Sequence, residues 1–307
     1  MKYMQIGNTG LNVSRLALGM MRSAQHEAEN LRELLETALE VGINFVDHAD
    51  IYQRKYFAEE LYGQVMREAP HLREKFIVQT KCGICRAGYY DSSYEHIMES
   101  VDQSLRRMNL DVIDILLLHR PDALTEPEEV ARAFDDLQAS GKVKHFGVSN
   151  MNPGQIENLK RCVRQEIAVD QVQLSIVHAP IIDAGIYVNM IDDRAVVRDS
   201  GLVDYAQCKG MTLQAWSVVQ ADKVRGSFLD HPDFPELNAV LDRLAEKYGV
   251  TKSAIAVAWI LRHPAGIQPI TGTADPAHLR EVAKCVDFTL TRPEWYELYR
   301  AAGRKLP

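Results

Sequence analysis

Four polar side chains of the types that carry charge or transfer protons lie just after apolar runs in this sequence: Asp47, Tyr52, Lys81 and His119. Asp47, Lys81 and His119 each close a short apolar run typical of a buried strand, and Tyr52 comes five residues after Asp47. If the runs are parallel strands of one barrel, their carboxyl ends meet at the same mouth. The spacing therefore predicts a proton-transfer site.

Tyr52 is the proton donor in this hypothesis. A tyrosine hydroxyl normally has a pKa of about 10, and a nearby ammonium such as Lys81 is expected to lower it by favouring the phenolate. Asp47 would pair with Lys81, while His119 would orient a substrate oxygen. Such a set can protonate an alkoxide while a hydride is delivered. Because no side chain delivers hydride, a nicotinamide cofactor is implied.

Each of the four residues also has an ordinary structural interpretation. Asp47 and Lys81 could form a structural ion pair, Tyr52 is one of twelve tyrosines, and His119 could bond only to backbone. Their coincidence at three successive strand ends is what favours a site.

The elements that must position these residues are short apolar runs alternating with helical patterns. Strands are predicted at 16–19, 43–47, 76–81, 113–119, 145–149, 169–174, 212–217 and 268–271. Helices are predicted at 29–40, 93–108, 126–140, 152–164, 235–248 and 253–262. Apolar residues on both sides of the turn-rich segment 7–10 predict a small β-hairpin at the N-terminus.

Eight strands alternating with helices indicate a parallel sheet, either closed or open. An open doubly wound sheet that binds a dinucleotide would carry Gly-x-Gly-x-x-Gly after its first strand, but Gly19 is followed by Met-Met-Arg-Ser-Ala. We therefore predict an α/β fold, a single (β/α)8 TIM barrel with an N-terminal β-hairpin, over residues 1–307. The long segments 175–194 and 218–235 are expected to shape the substrate pocket, or else to be packed surface.

Composition limits the classes of function. The chain has 307 residues, is 46% hydrophobic, and carries a net charge of −7, which argues against nucleic-acid binding. The sequence shows no signal peptide at its start and no apolar run long enough to span a membrane. Five cysteines, an odd number, favour reduced thiols and a cytoplasmic location. Cys82 and Cys85 have C-x-x-C spacing without a second ligand pair, so no metal site is predicted.

Five segments together carry a family resemblance. They are Gly19-Met20, Asp47-His48-Ala49-Asp50-Ile51-Tyr52, Thr80-Lys81, Leu116-Leu117-Leu118-His119-Arg120-Pro121 and 141–150. In this order and spacing the chain resembles the aldo-keto reductase family, and within it the bacterial oxidoreductases, over essentially its whole length.

The resemblance implies an NAD(P)H-dependent enzyme that reduces aldehydes or ketones to alcohols. It implies Tyr52 as the acid/base residue, with Asp47, Lys81 and His119 as its partners. Histidine at position 119 resembles the carbonyl reducers of the family more than its steroid double-bond reducers. Two alternatives remain: a nicotinamide-binding regulatory or sensing protein on the same fold, and an isomerase or aldolase barrel with a Schiff-base lysine.

The resemblance also implies a set of cofactor contacts. Ser149, Asn150 and Gln171 would hold the nicotinamide amide, and Trp216 would stack on the ring, although a tryptophan there could equally pack in the core. The complete predicted set is Gly19, Met20, Ser149, Asn150, Gln171, Trp216, Ser217, Gly272, Thr273 and Arg280. Residues 217–221 depart from the family pattern, so Ser217 alone is carried over for the pyrophosphate.

The segment after the eighth strand, 271–281, leads into a helix whose N-terminus suits a phosphate. The commoner reductases of the family have lysine at the position of Gly272 and arginine near that of His278, and Arg280 lies nearby. NADP(H) is the expected cofactor, with NAD(H) left open.

Overall fold

A closed barrel of eight parallel strands forms the centre of the molecule in a computed structural model that describes residues 1–304 and 306. In chain order the barrel strands are β1 Ala17–Gly19, β2 Phe45–Asp47, β3 Ile77–Cys82, β4 Ile113–Leu118, β5 Val143–Ser149, β6 Ile167–Gln173, β7 Thr212–Trp216 and β8 Gln268–Thr271. Each strand pairs with the next along the chain, and β8 pairs with β1. The predicted (β/α)8 barrel is confirmed.

Helices surround the barrel. They are α1 Ala28–Glu40, α2 Ala58–Glu68, α3 Tyr94–Met108, α4 Pro127–Ala139, α5 Pro153–Leu159, α6 Pro180–Ile186, α7 Leu202–Lys209, α8 Pro235–Tyr248, α9 Lys252–Leu261, α10 Pro276–Ala283 and α11 Arg292–Ala301. The helix predicted at 152–164 is shorter than expected. It ends at Leu159 because Arg161 and Cys162 donate to carbonyls three residues back, which tightens the last turn.

The predicted N-terminal hairpin is present and covers the amino-terminal end of the barrel. Strands Tyr3–Gln5 and Asn12–Ser14 pair in antiparallel fashion. In the turn between them Ile6 is completely buried, and the N–H of Gly7 donates to Thr212 Oγ1 at 2.8 Å, at the start of β7. The hairpin therefore caps the end of the barrel opposite the strand ends that carry the predicted site.

Two further small hairpins lie at the carboxyl ends of the strands. Ile84–Cys85 pairs with Tyr89–Tyr90 after β3, and Gln220–Asp222 pairs with Gly226–Ser227 after β7. The second hairpin lies within the long segment 218–235 noted in the sequence.

Alternation of side chains along β3 determines what enters the barrel. Val78 and Cys82 pack in the core between barrel and helices, and Thr80 Oγ1 donates to Glu59 of α2 at 2.7 Å. The intervening residues, Gln79 and Lys81, therefore point into the barrel, as the two-residue period of a strand requires. Among the residues that the structure describes, no helix is both long and apolar enough to cross a membrane.

Candidate active site

Lys81 is the centre of a buried polar cluster at the barrel mouth. Its Nζ donates to Asp47 Oδ2 at 2.8 Å, to the carbonyl oxygen of His48 at 2.7 Å and to the Tyr52 hydroxyl at 3.1 Å. An ammonium has three N–H donors, and here all three are used. Because Lys81 is completely buried, this arrangement holds its charge at one position.

Three neighbouring strands and one turn bring the four predicted catalytic residues together. Asp47 ends β2 and Lys81 lies near the end of β3, while His119 directly follows β4 and donates its backbone N–H to Cys82 O at 2.8 Å. Tyr52 lies in a turn closed by its own N–H bond to Ala49 O. The rings of Tyr52 and His119 are 6.0 Å apart and nearly perpendicular.

The electrostatics of Tyr52 differ from the expectation drawn from the sequence. Burial raises the pKa of Tyr52 and outweighs the opposing effect of the Lys81 ammonium. Lys81 does act in the expected direction, but the net shift is upward. Tyr52 is therefore held as the protonated phenol, the form that can donate a proton.

The surroundings keep Lys81 as a charged ammonium and His119 as a neutral imidazole. Burial opposes the charge on Lys81, but Asp47 and Tyr52 outweigh it and raise the pKa of the ammonium. Burial, together with the charges of Lys81 and Arg120, holds the pKa of His119 well below its usual range. His119 is thus a neutral imidazole, with one N–H donor for a substrate oxygen.

Two glutamines hold the second oxygen of Asp47, a role that was not predicted for them from the sequence. Asp47 Oδ1 accepts from Gln79 Nε2 at 2.6 Å and from Gln171 Nε2 at 3.0 Å. Both amide groups also donate to Gln214 Oε1, at 2.9 and 3.0 Å. The carboxylate is therefore fixed from two sides, by Lys81 on one oxygen and by two amides on the other.

The amide network continues through the barrel interior. Gln214 donates to Gln268 Oε1 at 2.9 Å, and Gln268 donates to Ser14 O of the N-terminal hairpin at 2.7 Å. The sequence signal for this network is a glutamine at an inward position in each of β3, β6, β7 and β8.

Side chains predicted to hold a nicotinamide form a second network beside the first. Ser149 Oγ donates to Gln171 O at 2.7 Å, and Asn150 Nδ2 donates to Ser149 Oγ at 2.7 Å. Trp216 Nε1 donates to Asn150 Oδ1 at 3.3 Å. Asn150 adopts a left-handed backbone with φ of 59°, which turns the chain at the end of β5. The ends of β5, β6 and β7 are thus joined.

A cleft of about 710 Å³ opens over both networks. The predicted residues that line it are Gly19, Asp47, Tyr52, His119, Ser149, Asn150, Gln171, Trp216, Ser217, Gly272 and Thr273. Its volume lies within the range of small-molecule and cofactor sites. A separate cavity of about 560 Å³, lined by residues of α6, α7 and α11, contains none of the predicted catalytic residues.

Two predicted cofactor residues are placed away from the cleft. Met20 is completely buried in the core, and its N–H donates to Asp47 O at 2.9 Å. Arg280 lies against α1, where its Nη2 donates to Glu40 Oε2 at 2.7 Å and to Thr37 Oγ1 at 3.3 Å. The structure therefore does not bring Arg280 to the other predicted residues.

Several cleft residues were missed because they lie on loops whose shape the sequence does not show. They are Arg22, Arg54, Arg120, His178 and Lys223. His178 and Lys223 belong to the two long segments, so each segment contributes to the cleft as expected. His278 also lines it, with ring nitrogens 3.1 Å from Thr273 Oγ1 and from Ser253 Oγ.

Comparison with known proteins identifies the family. Residues 15–302 match the model of the aldo/keto reductase family. The chain belongs to the aldo/keto reductase family. This confirms the resemblance seen in the sequence and makes the protein a member of an oxidoreductase family that uses nicotinamide cofactors and reduces carbonyl groups.

Individual proteins are similar to this chain over nearly its whole length. A 6-dehydroglucose reductase of Novosphingobium aromaticivorans is 36% identical, covering 99% of this chain and 97% of its own. A probable voltage-gated potassium channel subunit beta of Arabidopsis thaliana is 28% identical, over 94% and 92%. The crystal structure of the thermostable aldo-keto reductase Tm1743 with the inhibitor epalrestat has a TM-score of 0.78 and 25% identity, covering 98% and 100%.

Asp170 provides a test of the electrostatics beside the site. This β6 carboxyl is completely buried, its two oxygens have no hydrogen-bond partner among the residues that the structure describes, and burial raises its pKa to about 8. An unfolded aspartate has a pKa of about 3.9, so the folded state binds this proton more tightly. Its stabilising contribution is complete below about pH 4 and is lost as the pH rises through about 8.

We therefore expect Asp170→Asn, which removes the charge but keeps the shape, to raise the melting temperature relative to the wild type more at about pH 8 than at about pH 5. Thermal unfolding followed by circular dichroism at several pH values measures the difference. The exposed Asp193→Asn variant is the control and should show a constant difference. A gap for Asp170→Asn that does not grow with pH would contradict the assignment.

Proposed function

We propose that this protein is an NADPH-dependent reductase of aldehydes or ketones in which Tyr52 donates the proton. The supporting observation is the Tyr52 hydroxyl placed 3.1 Å from a buried Lys81 ammonium. Lys81 is in turn held by Asp47, and neutral His119 lies across the same cleft mouth.

Tyr52 transfers its proton to the substrate oxygen in this proposal, and Lys81 stabilises the phenolate that forms. Stabilising a charge that develops during the reaction lowers the barrier, most of all in a buried site. Asp47 keeps Lys81 in position. His119 donates a hydrogen bond to the carbonyl oxygen, and as a neutral group it orients this oxygen without supplying the proton.

The residues beside the acid group suit a nicotinamide cofactor, which supplies the hydride when bound. Asn150 and Ser149 offer amide and hydroxyl groups for a carboxamide, and Trp216 offers an aromatic face next to them. Gln171 would accept through its carbonyl oxygen, because its NH2 group already donates to Asp47 and Gln214.

The other end of the cleft suits phosphate groups. Ser217 and Lys223 line it from the long segment after β7. Gly272 and Thr273 line it just before α10. The N–H groups of Ala277 and His278 at the start of this helix already donate to the Asp275 side chain, so we assign the phosphate contacts to the lining residues rather than to the helix N-terminus. We propose the same role for these residues as the sequence suggested, with His278 beside them in place of Arg280.

We further propose a polyhydroxylated aldehyde, such as an oxidised sugar, as the substrate class. The relative named for reduction of 6-dehydroglucose supports this class. The cationic and polar groups at the cleft, Arg54, Arg120 and His178, offer hydrogen bonds to hydroxyl groups. All five cysteines lie in the described part of the chain and are free, which fits action in the cytoplasm.

Tyr52→Phe tests the proposed function. We expect kcat for the reduction of sugar-derived and simple aldehydes to fall by about 10²- to 10⁴-fold, because the proton donor is removed while the packing is kept. NADPH oxidation measured by absorbance reports the rate, and quenching of tryptophan fluorescence by NADPH reports that cofactor binding persists.

Tyr205→Phe is the matched control for this variant, since the Tyr205 hydroxyl donates to Glu157 at 2.7 Å outside the cleft. It should leave kcat unchanged. Full activity of Tyr52→Phe would refute the mechanism. NADPH binding without turnover of any carbonyl by the wild type would favour the regulatory alternative, which the potassium channel subunit relative suggests.

Coenzyme preference is a separate prediction. Membership of the family supports NADPH as the preferred coenzyme. Because Arg280 pairs with Glu40 and only the polar cluster of His278, Thr273 and Ser253 lies beside Gly272, we expect NADH to be accepted as well. Comparing kcat/KM for the two coenzymes with one substrate measures the preference. A higher kcat/KM with NADH would overturn the NADPH assignment.

A further inference from the structure

The hairpin after β3 carries a cysteine whose surroundings differ from those of its C-x-x-C neighbour. Cys82, in β3, is buried in the hydrophobic core. Gly83 then turns the chain with a left-handed φ of +105°, and Cys85 lies partly exposed on the hairpin. The two thiols therefore lie in different environments, and Cys82 and Cys85 do not form one site despite their C-x-x-C spacing.

Cys85 is instead grouped with Asp91 and His96. One ligand atom from each of the three lies within 4.8 Å of the others, and Cys85 Sγ is 4.0 Å from His96 Nε2. Zinc–sulfur and zinc–nitrogen bonds of about 2.3 and 2.1 Å in a tetrahedral site place the two ligand atoms about 3.6 Å apart. The Cys85 and His96 ligand atoms therefore need only a small movement to bind one cation, and Asp91 lies within reach of the same ion.

The local structure orients two of these ligands. The N–H of Ser93 donates to Asp91 Oδ1 at 2.9 Å, so the carboxylate is fixed and its second oxygen is the available ligand. His96 lies in the first turn of α3, with its N–H bonded to Ser93 Oγ.

We propose that Cys85, Asp91 and His96 form a zinc-binding site that fastens the hairpin to α3. Sulfur, nitrogen and oxygen ligands suit zinc better than magnesium or calcium, which prefer oxygen alone. Three protein ligands leave the fourth position for water. Binding releases the proton of the Cys85 thiol, since the thiolate is the ligand.

The hairpin also contacts the segment that carries Tyr52. Arg86 Nη2 donates to Ile51 O at 3.3 Å, and its guanidinium lies 4.8 Å from the centre of the Phe57 ring. A zinc ion that holds this hairpin in place would therefore also restrict the motion of the turn that contains Tyr52. The site itself does not depend on the proposed reductase activity.

Zinc titration of the reduced full-length chain, freed of metal by a chelator and desalted, tests the proposal. Calorimetry should show one zinc ion bound per chain. Cys85→Ser and His96→Gln should each weaken binding by at least about tenfold, the loss seen even for outer-shell partners. Cys208→Ser, at an exposed cysteine of α7, is the control and should bind as the wild type does.

Cobalt(II) supplies a spectroscopic signature of the thiolate ligand. A sulfur-to-cobalt charge-transfer band in the near ultraviolet should appear in the wild type and in Cys208→Ser, and should be missing in Cys85→Ser. Asp91→Asn should also weaken zinc binding. Because this change preserves the size of the side chain, weaker binding would reflect the loss of a ligand rather than a folding defect. Absence of saturable one-to-one binding, or unchanged zinc affinity in Cys85→Ser, would overturn the site.

Discussion

The site depends on the three hydrogen bonds that stabilise the buried ammonium of Lys81. Removing a charged group from water costs several kcal/mol even after relaxation, so such a group persists only when its hydrogen bonds are satisfied. Asp47 from β2, the carbonyl of His48 and the hydroxyl of Tyr52 supply the three acceptors. Because these come from a neighbouring strand and the turn after it, the ammonium is stabilised only when β2 and β3 are paired in the barrel.

The requirement for satisfied polar groups extends inward from Asp47. Gln79 and Gln171 hold its second oxygen, and Gln214 accepts from both amides. Gln171 also lines the cleft, where its backbone carbonyl accepts from Ser149. The side chain of Gln171 thus orients the Asp47–Lys81 ion pair, and its backbone carbonyl orients Ser149, which is proposed to bind the cofactor. The proposed proton-donor and cofactor groups are therefore joined in one hydrogen-bonded framework.

Strand periodicity made the barrel predictable, and with it the mouth at which the candidate residues lie together. Features that depend on three-dimensional surroundings could not be predicted in this way. Strand ends placed Tyr52 and His119 correctly at one mouth, because the parallel barrel leaves little choice. The net pKa shift of Tyr52 depends on burial, which is a property of the folded chain. Arg280 pairs with Glu40 of a distant helix, and Cys85 meets His96 only through the shape of a loop. Burial, the reach of long side chains and the shape of irregular loops are therefore the features that the sequence did not show.

Lys81 and Tyr52 act as one unit in the proton transfer that we propose. A double-mutant cycle with Lys81→Met, Tyr52→Phe and the combined variant measures this most directly, with the rate of hydride transfer in a single turnover as the readout. We expect the double variant to be no slower than the slower single variant, since either change removes the same step. Losses that multiply in the double variant would show that the two residues act independently and would contradict this proposal.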